Sequence, residues 1–196
     1  LEFVKGNLDF ISGIDPSYKD EILNKDGTIR DKYKRLINME VMPYLNTEYL
    51  AILFDDDLGN PLSNKLVRKA INYGFDRVKM IKYLRNNIGV PGDKGFIPIG
   101  ILPDSIRDKE VGYSYNPDKA RKLLEEAGYF KRYKNKNIVL STTSSYLDLC
   151  KFIQSQLGEL GMNISIDVNQ PASLREMTSQ GKVSFFRASW IADYPD

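Results

Sequence analysis

Residues 138–190 read IVLSTTSSYLDLCKFIQSQLGELGMNISIDVNQPASLREMTSQGKVSFFRASW, and the fold follows from how two hydrophobic periods alternate along them. The apolar run 138–140 is a short strand. Segment 145–160 carries Leu149, Ile153, Leu157 and Leu160 at helical spacing, and Gly161 stops it. Ile164, Ile166 and Val168 alternate as strand 164–168, segment 171–180 opens on Pro171 as a helix, and 183–190 is a closing strand. Strands joined through helices predict a largely parallel sheet with right-handed crossovers. The expected fold class is therefore α/β, a mixed, largely parallel sheet flanked by helices. On such sheets ligands bind outside the carboxyl ends of the strands, which is where Trp190-Ile191-Ala192-Asp193-Tyr194-Pro195-Asp196 lies.

Upstream, Asn116 and Pro117 start a well-marked helix with Ala120, Leu123, Leu124 and Ala127 on one stripe, and Gly128 ends it. Residues 86–115 hold Gly89, Gly92, Gly95 and Gly100 with three prolines and little periodicity, a long irregular segment of the kind that is usually functional. Helices are expected over 64–73, with Leu66, Val67, Ala70 and Ile71 inward, and over 78–84 after a capping Asp76. Strand 47–54 has apolar residues in both alternating sets, which predicts a central strand covered on both sides. Strands are also expected over 36–44 and 8–11, and a helix over 16–23 capped by Asp15. Asp55-Asp56-Asp57 reads as an exposed turn, because the spacing of a calcium loop is missing.

Composition removes whole classes of chemistry. Among the 196 residues there is no histidine and one cysteine, so imidazole catalysis, Ser-His-Asp triads and ordinary zinc sites are excluded within this stretch. Cys150 falls on the apolar stripe of a helix and reads as a small core residue. With 28 basic and 26 acidic side chains, no concentrated basic face marks a nucleic-acid partner. No run of about 18 apolar residues occurs, the length a spanning helix requires. Leu1 follows no initiator methionine, and the chain stops inside an acidic turn. Both ends read as cut, so an interior piece of a longer protein is expected.

Several segments, in order, resemble the family-5 extracytoplasmic solute-binding proteins that serve oligopeptide and dipeptide ABC transporters. They are Gly6-Asn7-Leu8-Asp9-Phe10, then Leu45-Asn46-Thr47-Glu48-Tyr49-Leu50, then the run from Pro61 to Tyr73 with Phe75-Asp76-Arg77. Tyr115-Asn116-Pro117-Asp118-Lys119-Ala120, Glu126-Ala127-Gly128-Tyr129 and the turn from Trp190 to Asp196 complete the set. One departure is Val90-Pro91-Gly92-Asp93, where many members carry Pro-Ala. The resemblance implies that residues 1–196 are a single periplasmic-binding-protein-like lobe, part of the second lobe of a two-lobed body whose first lobe lies elsewhere in the parent chain. It further implies a monomer that binds an oligopeptide by hinge closure and delivers it to a membrane permease. Such a protein sits in the periplasm or is a cell-surface lipoprotein, needs no cofactor and is not an enzyme. A ligand-sensing module of a regulatory protein on the same fold is the alternative.

Four residues are singled out as ligand-binding: Asp193, Trp190, Ile191 and Arg187. In peptide-binding members an aspartate at the position of Asp193 meets the ligand's α-amino group; read alone, Asp193 could equally bond its own backbone in a turn. Trp190 either walls a cavity or belongs to the core. Arg187, if buried, needs an anion, either a ligand carboxylate or an acid of the same lobe.

Overall fold

The computed structural model describes residues 2–15, 17–42, 44–54, 59–98, 100–103, 105 and 112–194. Its helices and strands in chain order are α1 Lys19–Ile22, β1 Asn46–Ile52, α2 Lys65–Tyr73, α3 Arg77–Leu84, α4 Pro117–Glu126, α5 Tyr129–Arg132, β2 Ile138–Thr143, α6 Leu147–Glu159, β3 Ile164–Asn169, α7 Pro171–Ser179 and β4 Phe185–Ile191. The chain divides into two compact units, residues 1–44 with 78–91 and residues 45–77 with 92–196. The acidic turn read at residues 55–57 lies outside the described residues.

In the smaller unit, one buried polar side chain replaces a large apolar core. Asn86 is 3% exposed; its amide donates to Asn24 O (3.0 Å) and Asp20 Oδ1 (3.2 Å) and accepts from Lys19 Nζ (2.9 Å). Satisfying each polar atom avoids the penalty of a buried unpaired amide. Among the described residues, the expected strands 8–11 and 36–44 do not form, and helix in the range 16–23 covers Lys19–Ile22. Asp15 accepts from Ser17 N (2.8 Å) in a local turn ahead of that helix. The reason for the missing strands is the lack of a partner: Leu36, Val41, Met42 and Tyr44 are all exposed. An apolar run becomes a strand only when a neighbour takes its N–H and C=O groups.

The larger unit holds a four-stranded sheet in the order β1-β4-β2-β3. β2 runs parallel to both β3 and β4, so the three strands read from residues 138–190 do share one sheet. β1 pairs antiparallel with β4 from Asn46↔Ile191 to Ile52↔Phe185. It is therefore the first strand of the sheet, not the central one its double apolar pattern predicted, and none of its residues is fully buried.

The core sits on one face of this sheet. Ile138, Leu140 and Thr142 on β2, Ile164 on β3 and Phe185 on β4 are buried, as are Cys150, Ile153 and Leu157 of α6. Burying each large side chain of this set contributes roughly 1.5–3 kcal/mol. α2 and α4 pack together through Val67, Ala70, Ala120 and Leu124, all fully buried. Asn64 caps α2 by accepting from Leu66 N, and Asn116 caps α4 by accepting from Lys119 N, both at 2.9 Å. Gly128, in the left-handed region at φ 67°, ends α4 as its position after the helix requires.

The irregular segment is gripped at its base. Arg77 donates to Asn72 O (2.9 Å) and Tyr113 O (3.3 Å) and lies over the Phe75 ring; burial pulls its guanidinium pKa down, against the opposing charge of Asp93. Gly112 meets Asp93 so closely that a Cβ would lie 2.0 Å from the Asp93 carbonyl oxygen. Only glycine fits there.

Candidate functional site at the carboxyl edge of the sheet

Because β2, β3 and β4 are parallel, their carboxyl ends open at one edge of the sheet. The antiparallel β1 brings its first residue to that same edge, opposite Ile191. The chain leaves β4 still attached to this neighbour, since Ala192 N donates to Leu45 O (2.9 Å). Asp193 comes next and is exposed.

Alternation along β4 sets Arg187 and Ile191 on one face and Trp190 on the other. The Trp190 ring packs on Phe96 (centroids 5.7 Å apart), and Phe96 meets Tyr49 edge-on at 5.0 Å. Tyr49 pairs with Ala188 across the ladder and so belongs to the same face. Three aromatics from β1, β4 and the irregular segment thus hold one another, an arrangement worth about 0.5–1.5 kcal/mol per pair beyond area burial. Beyond Phe96 the segment turns, with Ile101 N donating to Pro98 O (3.0 Å). Gly100 lies against Leu45, where a Cβ would come to 2.8 Å of its side chain.

This packing leaves an open hollow of about 440 Å³. Its wall is apolar, built by Ile97, Ile101, Leu102, Pro103 and Trp190, and Asp193 is among its lining residues. No hydrogen bond or ion pair of the Asp193 carboxylate to another described residue accompanies it. A hydrated carboxylate beside an apolar wall can receive a cation at little prior cost, and the attraction grows as water is excluded.

The structure brings Trp190 and Asp193 together and leaves Ile191 and Arg187 outside the hollow. Ile191 is 48% exposed on the opposite face. Arg187, its side chain 16% exposed, forms an ion pair with Glu48 of β1 and lies over the Tyr146 ring, 3.2 Å from the centroid. Asn46 Nδ2 donates to the other Glu48 oxygen (2.9 Å). Of the two anions open to a buried Arg187, an acid of this chain, Glu48 on the neighbouring strand, is the one it meets. Arg187 Nε and Asn46 Oδ1 are buried without a partner among the described residues.

Cys150, under β2 and 1% exposed, is inert by environment: burial pushes its thiol pKa up. Among the described residues no group of three or more His, Cys, Asp or Glu could hold a metal ion. Sequence reading missed Phe96, Ile97, Ile101 and Leu102, as well as Glu48 and Tyr146. For the first four a signal existed: two apolar pairs set beside Pro98 and Pro103 in a glycine-rich stretch.

Over residues 1–196 the chain matches the family described as bacterial extracellular solute-binding proteins, family 5 Middle. It is 30% identical over 141 residues to the glutathione-binding protein GsiB of Pectobacterium atrosepticum, covering 67% of this chain and 26% of the relative. The GsiB of Shigella flexneri is 27% identical over 177 residues, covering 86% and 32%. Among solved structures, the ABC transporter-associated periplasmic binding protein DppA from Helicobacter pylori, in complex with peptide STSA, superposes with a TM-score of 0.75. That match spans 100% of this chain and 35% of the other at 24% identity, and its agreement concerns the fold. The chain thus spans about a third or less of the length of these relatives. With a family match along its whole length and an α/β sheet of the corresponding kind, the chain belongs to the bacterial extracellular solute-binding proteins, family 5.

Proposed function

We propose that this chain is part of the second lobe of an ABC-transporter substrate-binding component that captures oligopeptides outside the cytoplasm and hands them to a membrane permease. The observation that carries this reading is the hollow at the carboxyl edge of the sheet, where an exposed carboxylate, Asp193, sits beside Trp190. A carrier of many peptides must grip what all peptides share, and the free amine is one such group. Asp193 binds that ammonium, and Trp190 offers a flat apolar face to the adjoining ligand atoms. Closure of a second lobe over this edge excludes water and strengthens the ion pair, so ligand contacts to both lobes stabilise the closed arrangement. The protein works as a monomer, and no step in this cycle makes or breaks a covalent bond or needs a cofactor or a nucleic acid.

The test uses the full-length protein that carries this chain. Asp193→Asn keeps the shape and removes the charge; loss of one member of a desolvated charge pair costs about 2–5 kcal/mol, roughly 30- to several-thousand-fold in Kd. Calorimetry with free and N-acetylated alanine peptides reads the effect. Wild type should bind acetylated peptides poorly, and the variant should lose most of that discrimination. Equal binding of both peptide forms by wild type would remove Asp193 from this role.

A further inference from the structure

The two ends of the irregular segment are held unequally. At its exit, the Tyr113 ring meets Tyr73 of α2 edge-on at 5.0 Å. Asn116 N donates to Tyr73 O (2.9 Å), and Lys119 Nζ of α4 donates to the Tyr73 hydroxyl (2.8 Å). At its entrance, Asp93 has no ring contact or hydrogen bond to another described residue. Its backbone lies against Gly112, and its carboxylate meets the opposite charge of Arg77. From one nitrogen Arg77 also donates to Asn72 O (2.9 Å) and Tyr113 O (3.3 Å), and its guanidinium lies 4.1 Å over the Phe75 ring. One side chain therefore joins the last turn of α2, the exit of the segment and its entrance.

Phe96 follows Asp93 by three residues, a span of at most about 11 Å. A fixed Asp93 confines Phe96 to the neighbourhood in which it packs on Trp190 (5.7 Å) and Tyr49 (5.0 Å). Side chains already held in place add less ordering cost when a ligand binds. We infer, building on the reading of Asp193 and Trp190 as ligand-binding residues, that Arg77 is a positioning residue for that site: it ties the entrance of the irregular segment to its exit and so sets the Phe96 ring against Trp190 before a peptide arrives. Arg77 touches no ligand in this scheme; it acts through Asp93 and Phe96. A guanidinium suits the task because its donors are fixed in one plane and its charge is permanent, so it bonds carbonyls and attracts a carboxylate at once.

The test uses the full-length protein as wild type, as Arg77→Gln, which removes the charge, and as Arg77→Lys, which keeps it. Calorimetry reads Kd for trialanine and N-acetyl-trialanine. NMR reads the indole N–H resonance of Trp190, identified by its loss in Trp190→Phe and compared with its position in Phe96→Ala. Arg77→Gln should weaken trialanine binding about 3- to 30-fold, the ordering cost of one or two side chains. It should keep the penalty for acetylation and move the indole resonance toward that of Phe96→Ala, with Arg77→Lys closer to wild type. Asp93→Asn should reproduce much of the effect, and it serves alone if Arg77→Gln does not fold. A lower thermal midpoint with Kd and indole resonance unchanged makes Arg77 a structural residue only and overturns the proposal. A moved resonance with unchanged Kd overturns it too, because the tie then does not serve binding; so does weaker binding with the resonance unmoved. In each of these cases amine capture stands as long as wild type still discriminates against the acetylated peptide. Equal binding of the two peptides by wild type, or binding of neither, sinks the reading of Asp193 and, with it, this role of Arg77.

Discussion

The two ends of β4 have opposite characters. At its start, Phe185 is fully buried, as are Leu140 and Leu157 of the same core. At its exit, Trp190 is half-buried, Ile191 is 48% exposed, and Asp193 stands in solvent at an apolar hollow. Between them Arg187 is held by Glu48 of the neighbouring strand. One seven-residue strand thus passes from side chains that hold the fold to side chains left available for a ligand. The difference teaches that residues holding the fold and residues of the proposed site are separable along a single strand and its exit, and mutations can test the separation.

The largest expected effect lies at the buried end. Phe185→Ala should cost about 3–5 kcal/mol, seen as a large drop in thermal or denaturant midpoint. A cost below about 1 kcal/mol would break the contrast between the ends. Glu48→Leu removes the carboxylate from an Arg187 with a side chain only 16% exposed. Because the Glu48 side chain is itself 39% exposed, we expect a moderate loss, about 1–3 kcal/mol. Adding Arg187→Met should restore much of it, since an apolar pair of similar volume replaces the charges. No recovery in the double variant would mean that Glu48 acts through something other than this ion pair.

Smaller still is the coupling between Trp190 and Phe96. A double-mutant cycle with Trp190→Ala and Phe96→Ala should report about 0.5–1.5 kcal/mol of interaction; additivity would show that the ring contact is incidental. Smallest of all is Asp193→Asn, which should change the stability of the unliganded protein by no more than about 0.5 kcal/mol, as for an exposed position outside any buried network. A larger loss in equilibrium unfolding would make Asp193 a structural residue and sharpen the comparison against the proposed site.

Much of the sheet was legible because its signals are local. Alternation at Ile164, Ile166 and Val168 and the stripe of Leu149, Ile153 and Leu157 depend on neighbours in sequence, and both elements form where expected. β2 runs on to Thr143, past the predicted end at 140, because Ser141 and Thr142 pair with β3 and are buried despite their hydroxyls. β1 misled for a different reason. Its two apolar sets suggested two covered faces, yet Tyr49 packs on Phe96 of an irregular segment, and among the described strands β1 pairs with β4 alone. α5 had no periodicity to announce it.

The site divides along the same line. Trp190 and Asp193 were legible because a strand exit can be placed from sequence, and parallel strands open their sites at that edge. The partner of Arg187 was not, since Glu48 lies 139 residues away and only the β1–β4 register brings it near. Nor could the wall from Ile97 to Pro103 be assigned, because an aperiodic segment carries no rule for where it docks.

The contact of Gly112 with Asp93 ties off a loop whose two feet touch, leaving the sheet outside it. None of the described residues between those feet belongs to a strand of the sheet. A change in the loop's length costs little, because closing a loop of different length changes the entropy only logarithmically, whereas Phe96 and Gly100 are fixed by their packing on Trp190, Tyr49 and Leu45. The apolar wall beside Asp193 belongs to that loop, whereas Asp193 itself belongs to the strand exit. The carboxylate proposed to hold the ligand's amine is therefore placed by the sheet, while the apolar surface beside it is placed by a loop that returns to its own start.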